Sequence, residues 1–174
     1  MKYYLLLLFF LISLTMSLAQ QVNKPSAQLN KLGIELPEPS KPIANYVKYV
    51  RTGNLIFLSG HGPCDRSKVK LGKLGKDLTI DEGYEAARLT AIEQLSSLKA
   101  QIGDLNKVER IVKVLGMVNA EPSFMEQPAV INGFSNLMVE IFGERGKHAR
   151  AAVGAGSLPM NIACEIEMIV EVEE

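Results

Sequence analysis

The segment YVKYVRTGNLIFLSG, residues 46–60, decides how the rest of the chain is read. Tyr46 to Arg51 is rich in Tyr and Val, residue types that suit a pleated, half-buried surface. Thr52-Gly53-Asn54 supplies turn chemistry, and Leu55 to Gly60 returns as a second apolar run. Two such runs around a Gly-Asn turn predict a β-hairpin.

Downstream, helical and strand periods alternate. Thr79-Ile80-Asp81-Glu82 is a capping box, in which the Thr hydroxyl and the Glu carboxylate satisfy two orphan helix amides reciprocally. Ala86, Leu89, Ile92, Leu95 and Leu98 follow at helical spacing, so a helix is expected from Ile80 to Ile102, stopping at Gly103. Arg110 to Val118 reads as a strand, 121–127 as a loop, and Pro128 to Phe142 as a second helix ended by Gly143. Strands are expected at Ala151 to Val153 and Ala163 to Val172, with a further short one in the Gly- and Lys-rich stretch Lys68 to Lys76. In the last strand Cys164, Ile166, Met168 and Val170 alternate with Glu165, Glu167, Ile169 and Glu171. Strands joined through helices of this length imply right-handed crossovers, which put both helices on one face of a mixed α+β sheet. The other face, with Glu165 and Glu167, is then left for a closed cyclic oligomer.

Upstream, residues 20–44 form a lead. Ser26 to Gly33 suits a short helix capped by Ser26, and Pro37, Pro39 and Pro42 keep the following chain extended. Residues 1–19 read differently: Lys2, an apolar run from Leu5 to Leu14, and the small-x-small site Ser17-Leu18-Ala19. This is the pattern of a signal peptide cut after Ala19, with an uncleaved anchor helix as the alternative. The run is short for a membrane span, which needs about 20 residues. The expected product is secreted or periplasmic, with no stable membrane span after cleavage, and its domain covers residues 45–174. Export allows Cys64 and Cys164 to pair, but two cysteines in a chain able to bury its own core are as well read as separate thiols.

The 174 residues fit one domain, and 19 Lys plus Arg against 19 Asp plus Glu give no net charge. Loss of Lys2 with the signal makes the product slightly acidic. That balance argues against nucleic acid as a partner. His61-Gly-Pro-Cys64 lacks the second ligand pair a structural zinc requires, so no metal is expected. Phosphate-loop and nucleophile-elbow motifs do not occur. The basic run Glu144 to Arg150 has no interleaved aromatic platform and reads as a solvated loop. A better constellation is Arg150, at a strand start, with Glu165 on what is expected to be the adjoining strand. An Arg fork can take a carboxylate through two N–H···O bonds, and a nearby Glu can hold a water as general base or acid. The plain alternative is an inter-strand salt bridge.

From Asn45 to Val172 the chain resembles the RidA family (YjgF-like, once labelled L-PSP endoribonucleases), reactive-intermediate deaminases. The resemblance lies in Asn45-Tyr46-Val47, the run Thr52 to Gly60, Asn132, Ala149-Arg150 with Val153, Leu158-Pro159 and Glu165-Ile166-Glu167. It implies a chorismate-mutase-like fold of the bacillary type, a mixed sheet with two helices packed on one face, assembled as a trimeric barrel with clefts between subunits. It implies that Arg150 binds a substrate carboxylate, that Glu165 contacts the attacking water, and that Tyr46, Ser59 and Asn132 line the cleft. The implied reaction is hydrolysis of small 2-imino or enamino carboxylates to 2-oxo acids and ammonia, without metal or organic cofactor. A non-catalytic trimer that binds small carboxylates is the second reading, and RNA cleavage the third. Three positions depart from the common pattern: His61 stands where many members carry Gln, Ala152 where many carry Cys, and Ser157 where many carry Arg. The loop 121–127 is also longer than usual.

Overall fold

The computed structural model describes residues 24–174; the expected signal segment and its cleavage point lie outside the described residues. The hairpin forms as expected. Strand β1 (Tyr49–Thr52) pairs antiparallel with β2 (Leu55–His61), Thr52 opposite Leu55, around Gly53 at φ +56°. A two-residue hairpin loop calls for such a positive φ. Tyr46 to Lys48 precede the ladder rather than belonging to it, although Ser59 N–H still donates to the Lys48 carbonyl at 2.9 Å.

Helix α1 (Pro25–Lys31) starts two residues earlier than a Ser26 cap implies. Lys24 flanks it and no side chain caps it, so Ser26 is not the cap; Pro25 instead sits in the first turn, where its missing N–H costs nothing. The stretch Lys68 to Lys76 is not a strand. A 3-10 turn at Arg66–Lys68 ends where the stretch begins, and within the stretch a single residue, Leu74, bridges to Leu78 and Ala120. Gly72 at φ +140° and Gly75 at φ +84° break the extended conformation on either side of Leu74.

Helix α2 (Ile80–Ile102) has the expected capping box: Glu82 N–H donates to Thr79 Oγ1 at 3.2 Å, and Thr79 N–H to Glu82 Oε2 at 2.9 Å. Strand β3 (Val108–Asn119), helix α3 (Gln127–Phe142), β4 (Ala149–Ala155) and β5 (Cys164–Val172) complete the chain. The sheet order is β1-β2-β5-β3-β4, and only the β3–β4 pair is parallel. The α2 crossover therefore spans β5, while α3 joins neighbouring strands.

Both long helices cover one face. Cys164, Ile166, Met168 and Val170 point under them and are fully buried, as the alternation of β5 requires. Leu95 and Leu98 of α2 and Phe134, Leu137 and Met138 of α3 belong to the same buried core as that row; each such side chain is worth about 1.5–3 kcal/mol of burial. Helix α3 lies close because the backbone below and beside it is bare. A Cβ on Gly133 would stand 2.0 Å from the Tyr84 carbonyl oxygen, and one on Gly116 2.5 Å from Ile131 Cδ1. On the open face Val50, Phe57 and Val153 are exposed. Cys64 and Cys164 are both free thiols, and burial pushes Cys164 up to about 12.

Candidate functional site

Two polar groupings lie apart on the sheet. The first is a cavity of about 240 Å³ beside the end of β2 and the start of β5. Glu165 projects into it from the open side of β5, and Tyr46 and Lys48 line it from the segment before β1. Gly60 leaves room for the Glu165 carboxylate: a Cβ there would sit 2.1 Å from Oε1. Burial, with the charge of Glu167 behind it, pushes Glu165 above the usual carboxylate range. The cavity is also bordered by Met160, which with Asn161 adopts left-handed φ of 55°. Non-glycine residues held there cost about 1–3 kcal/mol and gather at functional sites.

Behind the cavity, β2 is irregular between Leu58 and His61. The Ser59 carbonyl accepts from Gln94 Nε2 at 3.2 Å and from His61 Nδ1 at 2.6 Å. Because a carbonyl can only accept, Nδ1 carries the proton and Nε2 is free to accept from Ser97 Oγ at 3.0 Å. His61 is thus a buried structural clamp, and burial lowers its pKa. Glu93, from α2, accepts both the N–H (3.0 Å) and the hydroxyl (2.5 Å) of Ser40, and Lys48 Nζ donates to Ser40 Oγ at 2.9 Å.

The second grouping lies at the far edge. Arg150, second residue of β4, donates from Nη1 to Asn132 Oδ1 at 2.9 Å and to Ser135 Oγ at 3.0 Å. Asn132 and Ser135 are three apart on α3 and share a face. Ser135 Oγ in turn lies 3.0 Å from His148 Nε2, and His148 Nδ1 lies 2.7 Å from the Gly146 carbonyl. The same acceptor argument puts the His148 proton on Nδ1, so Ser135 donates to Nε2 and keeps its lone pairs for Arg150. Burial lowers the His148 pKa, which favours the neutral ring this chain of bonds needs.

The sequence expectation that Arg150 and Glu165 sit on adjoining strands is therefore corrected. β3 lies between them, with Arg150 opposite Val114 and Glu165 opposite Met117. Two strand spacings and three residues separate their backbones by about 14 Å. They also project from opposite faces, since Val114 is buried under the helices and Glu165 is on the open side. No inter-strand salt bridge joins them. Of the other expected site residues, Asn132 joins Arg150, and Tyr46 joins Glu165. Ser59 lines a shallow depression of about 300 Å³ on the open face, with Phe57 and Glu167, and its hydroxyl donates to the Lys48 carbonyl at 3.1 Å. Reading the sequence missed Ser135, His148, Lys48 and Glu93. Ser135 was findable from its spacing to Asn132, and His148 from its two-residue spacing to Arg150; Ser40 and Glu93 are 53 residues apart, and no local signal joins them.

Among the described residues no three His, Cys, Asp or Glu side chains are grouped to hold a metal ion, and no helix is long and apolar enough to cross a membrane.

A mixed sheet with two crossover helices on one face, and polar groupings at its two sides, defines a chorismate-mutase-like α+β protein. The chain belongs to the YjgF/RidA family: the family described as "YjgF/chorismate mutase-like, putative endoribonuclease" matches residues 26–172. Protein TCP17 of Trypanosoma cruzi is 45% identical over 148 residues, covering 84% of this chain and 92% of that protein. A 2-iminobutanoate/2-iminopropanoate deaminase of Dermatophagoides farinae is 28% identical over 141 residues, covering 80% and 95%. Among solved structures, a protein of unknown function from Agrobacterium tumefaciens superimposes with a TM-score of 0.78 at 42% identity, covering 86% of this chain and 94% of that one.

Proposed function

We propose that the protein hydrolyses small 2-imino or enamino carboxylates to 2-oxo acids and ammonia, in clefts between the subunits of a homotrimer. The observation that carries this reading is the commitment of Arg150. Both protons of Nη1 are used by Asn132 and Ser135, which leaves the Nε and Nη2 donors of the guanidinium for another acceptor. Those donors form a planar fork matched to a carboxylate. Glu165 supplies the complementary function. Its raised pKa suits a group that takes a proton from water and then returns one to nitrogen.

In the cleft, the fork of Arg150 holds the substrate carboxylate and Glu165 orients a water against C2 of the imine. The water oxygen bonds to C2 as Glu165 accepts its proton, and the C=N electron pair moves to nitrogen. Glu165 then protonates that nitrogen. Glu165 next takes the carbinolamine hydroxyl proton and passes it to the nitrogen as the C=O forms and the C–N bond breaks, and 2-oxo acid and ammonia leave. Tyr46 and Asn132 contact substrate beside these two groups, and Ser59 shapes the neighbouring wall. The reaction requires no metal or organic cofactor. Because Arg150 and Glu165 are too far apart within one chain to share a small substrate, the reading requires a second copy to bring them together. The exposed Val50, Phe57 and Val153 on the open face are suited to that contact. The relative called an imine deaminase supports the reaction class, and the leader reading sets it outside the cytoplasm.

The test is ammonia release from 2-iminobutanoate or 2-iminopropanoate generated in situ. The wild type should accelerate release and Arg150→Ala should abolish it. If the wild type gives no acceleration over buffer, the reading fails; binding of 2-oxo acids without turnover would then favour a carboxylate-binding trimer.

A further inference from the structure

We propose that Lys48 is a second anion-recognition group in this site, and that the substrate is an acidic one, a 2-imino dicarboxylate whose distal carboxylate meets the Lys48 ammonium. This rests on the imine-hydrolase reading above and names its substrate class.

Lys48 follows Tyr46 by two residues, and the two line the same cavity as Glu165. Its side chain is only 14% exposed. An ammonium carries three N–H donors, and the structure gives one of them to Ser40 Oγ at 2.9 Å. Glu93 does not use up the rest. Its Oε1 already accepts twice from Ser40, and it stands 3.9 Å from Nζ, beyond hydrogen-bond length. Glu93 thus balances the charge of Lys48 without saturating it. Burial of a cation with spare donors is costly, and burial accordingly lowers the Lys48 pKa despite the nearby carboxylate.

The surroundings point the same way. Lys41 and Arg66 line the same cavity, so three cations face two carboxylates, Glu93 and Glu165. Burial also favours the neutral form of Glu165. A monocarboxylate held by Arg150 would leave this cationic wall facing an alkyl tail. A distal carboxylate on the substrate gives Lys48 the acceptor it lacks.

The test compares two product acids of equal chain length by calorimetry, 2-oxoglutarate and 2-oxopentanoate, which differ only in the distal carboxylate. Wild type should bind 2-oxoglutarate at least about tenfold more tightly, a magnitude typical of one charge-assisted hydrogen bond. Lys48→Gln should bring the two within about twofold, and Lys48→Arg should retain the preference. Thermal melting of both variants checks that Glu93 left beside a neutral side chain has not unfolded the protein; if Lys48→Gln does not fold, the wild type and Lys48→Arg comparison decides. Equal affinity for the two acids in wild type, no binding of either, or a preference that survives in folded Lys48→Gln overturns the proposal. Binding preference is read without turnover. A preference with no ammonia release therefore defeats the hydrolase reading alone, and release from 2-iminopropanoate with no preference defeats the Lys48 assignment alone.

Discussion

Substituting Gly60→Ala should separate catalysis from folding more cleanly than removing Glu165 itself. The added Cβ would stand 2.1 Å from Glu165 Oε1, 2.9 Å from Cδ and 3.0 Å from Cγ. Ordinary non-bonded carbon contacts lie near about 3.5–4.0 Å, so the carboxylate must retreat by roughly 1 Å or more. Gly60 is not in the left-handed region, and its backbone accepts Ala without strain. The obstacle is the end of a flexible side chain at the rim of an open cavity. The stability cost should accordingly sit at the low end of overpacking, about 1 kcal/mol. The catalytic cost should be much larger, because a 1 Å misplacement of a reacting group is worth about 10²-fold in rate. The assay is kcat for ammonia release from 2-iminobutanoate, with a thermal melt of the same preparation. Glu165→Asp, one methylene shorter, should cost less in the Gly60→Ala background than in wild type, since it withdraws the carboxylate from the new methyl. If Gly60→Ala keeps a kcat within about threefold of wild type while its fold is intact, Glu165 does not act from the position seen here, and the water-positioning role assigned to it is wrong.

Ser135→Ala frees one Nη1 proton of Arg150 and loosens the fork; KM should rise about five- to tenfold, the worth of roughly one hydrogen bond, with kcat nearly unchanged, and Ser135→Thr should restore it. A fall in kcat at constant KM would assign Ser135 to the chemical step instead. Glu165→Gln should raise the melting temperature at pH 7, at the expense of activity. Burial and the Glu167 charge raise the folded pKa of Glu165, so the folded state holds this proton more tightly than the unfolded chain. The stabilisation from that proton is complete below the unfolded pKa and is lost as pH rises through the folded one. The advantage of Gln should therefore vanish near pH 4, and a Tm gain of equal size at both pH values would refute the stated origin of the shift.

Local chemistry carried much of the fold. The capping box at Thr79 and Glu82 fixed the start of α2, Gly103 its end, and the two-residue alternation of Cys164 to Glu171 told which side of β5 is buried. These signals are short-range: each is settled by residues within one turn or one strand, so they survive without knowledge of partners. Where they failed, composition had outweighed backbone conformation. Leu74 looks like part of a strand, but Gly72 and Gly75 at positive φ leave it a single residue bridging to Leu78 and Ala120.

The site was legible as a set of residue types but not as an arrangement. The sequence by itself determined that this is an α+β sheet with helices on one face, and that an Arg, a Glu, a Tyr and an Asn of the right chemistry are present. Only the tertiary structure decided that β3 separates Arg150 from Glu165 and turns them to opposite faces. Strand order depends on which crossovers close most favourably over the whole core, and the sequence near either residue holds no record of that. The clamp on Arg150 and the cluster around Lys48 are of the same kind. Each joins side chains from separate elements, Ser135 with His148 and Ser40 with Glu93, and each exists only once the chain has folded.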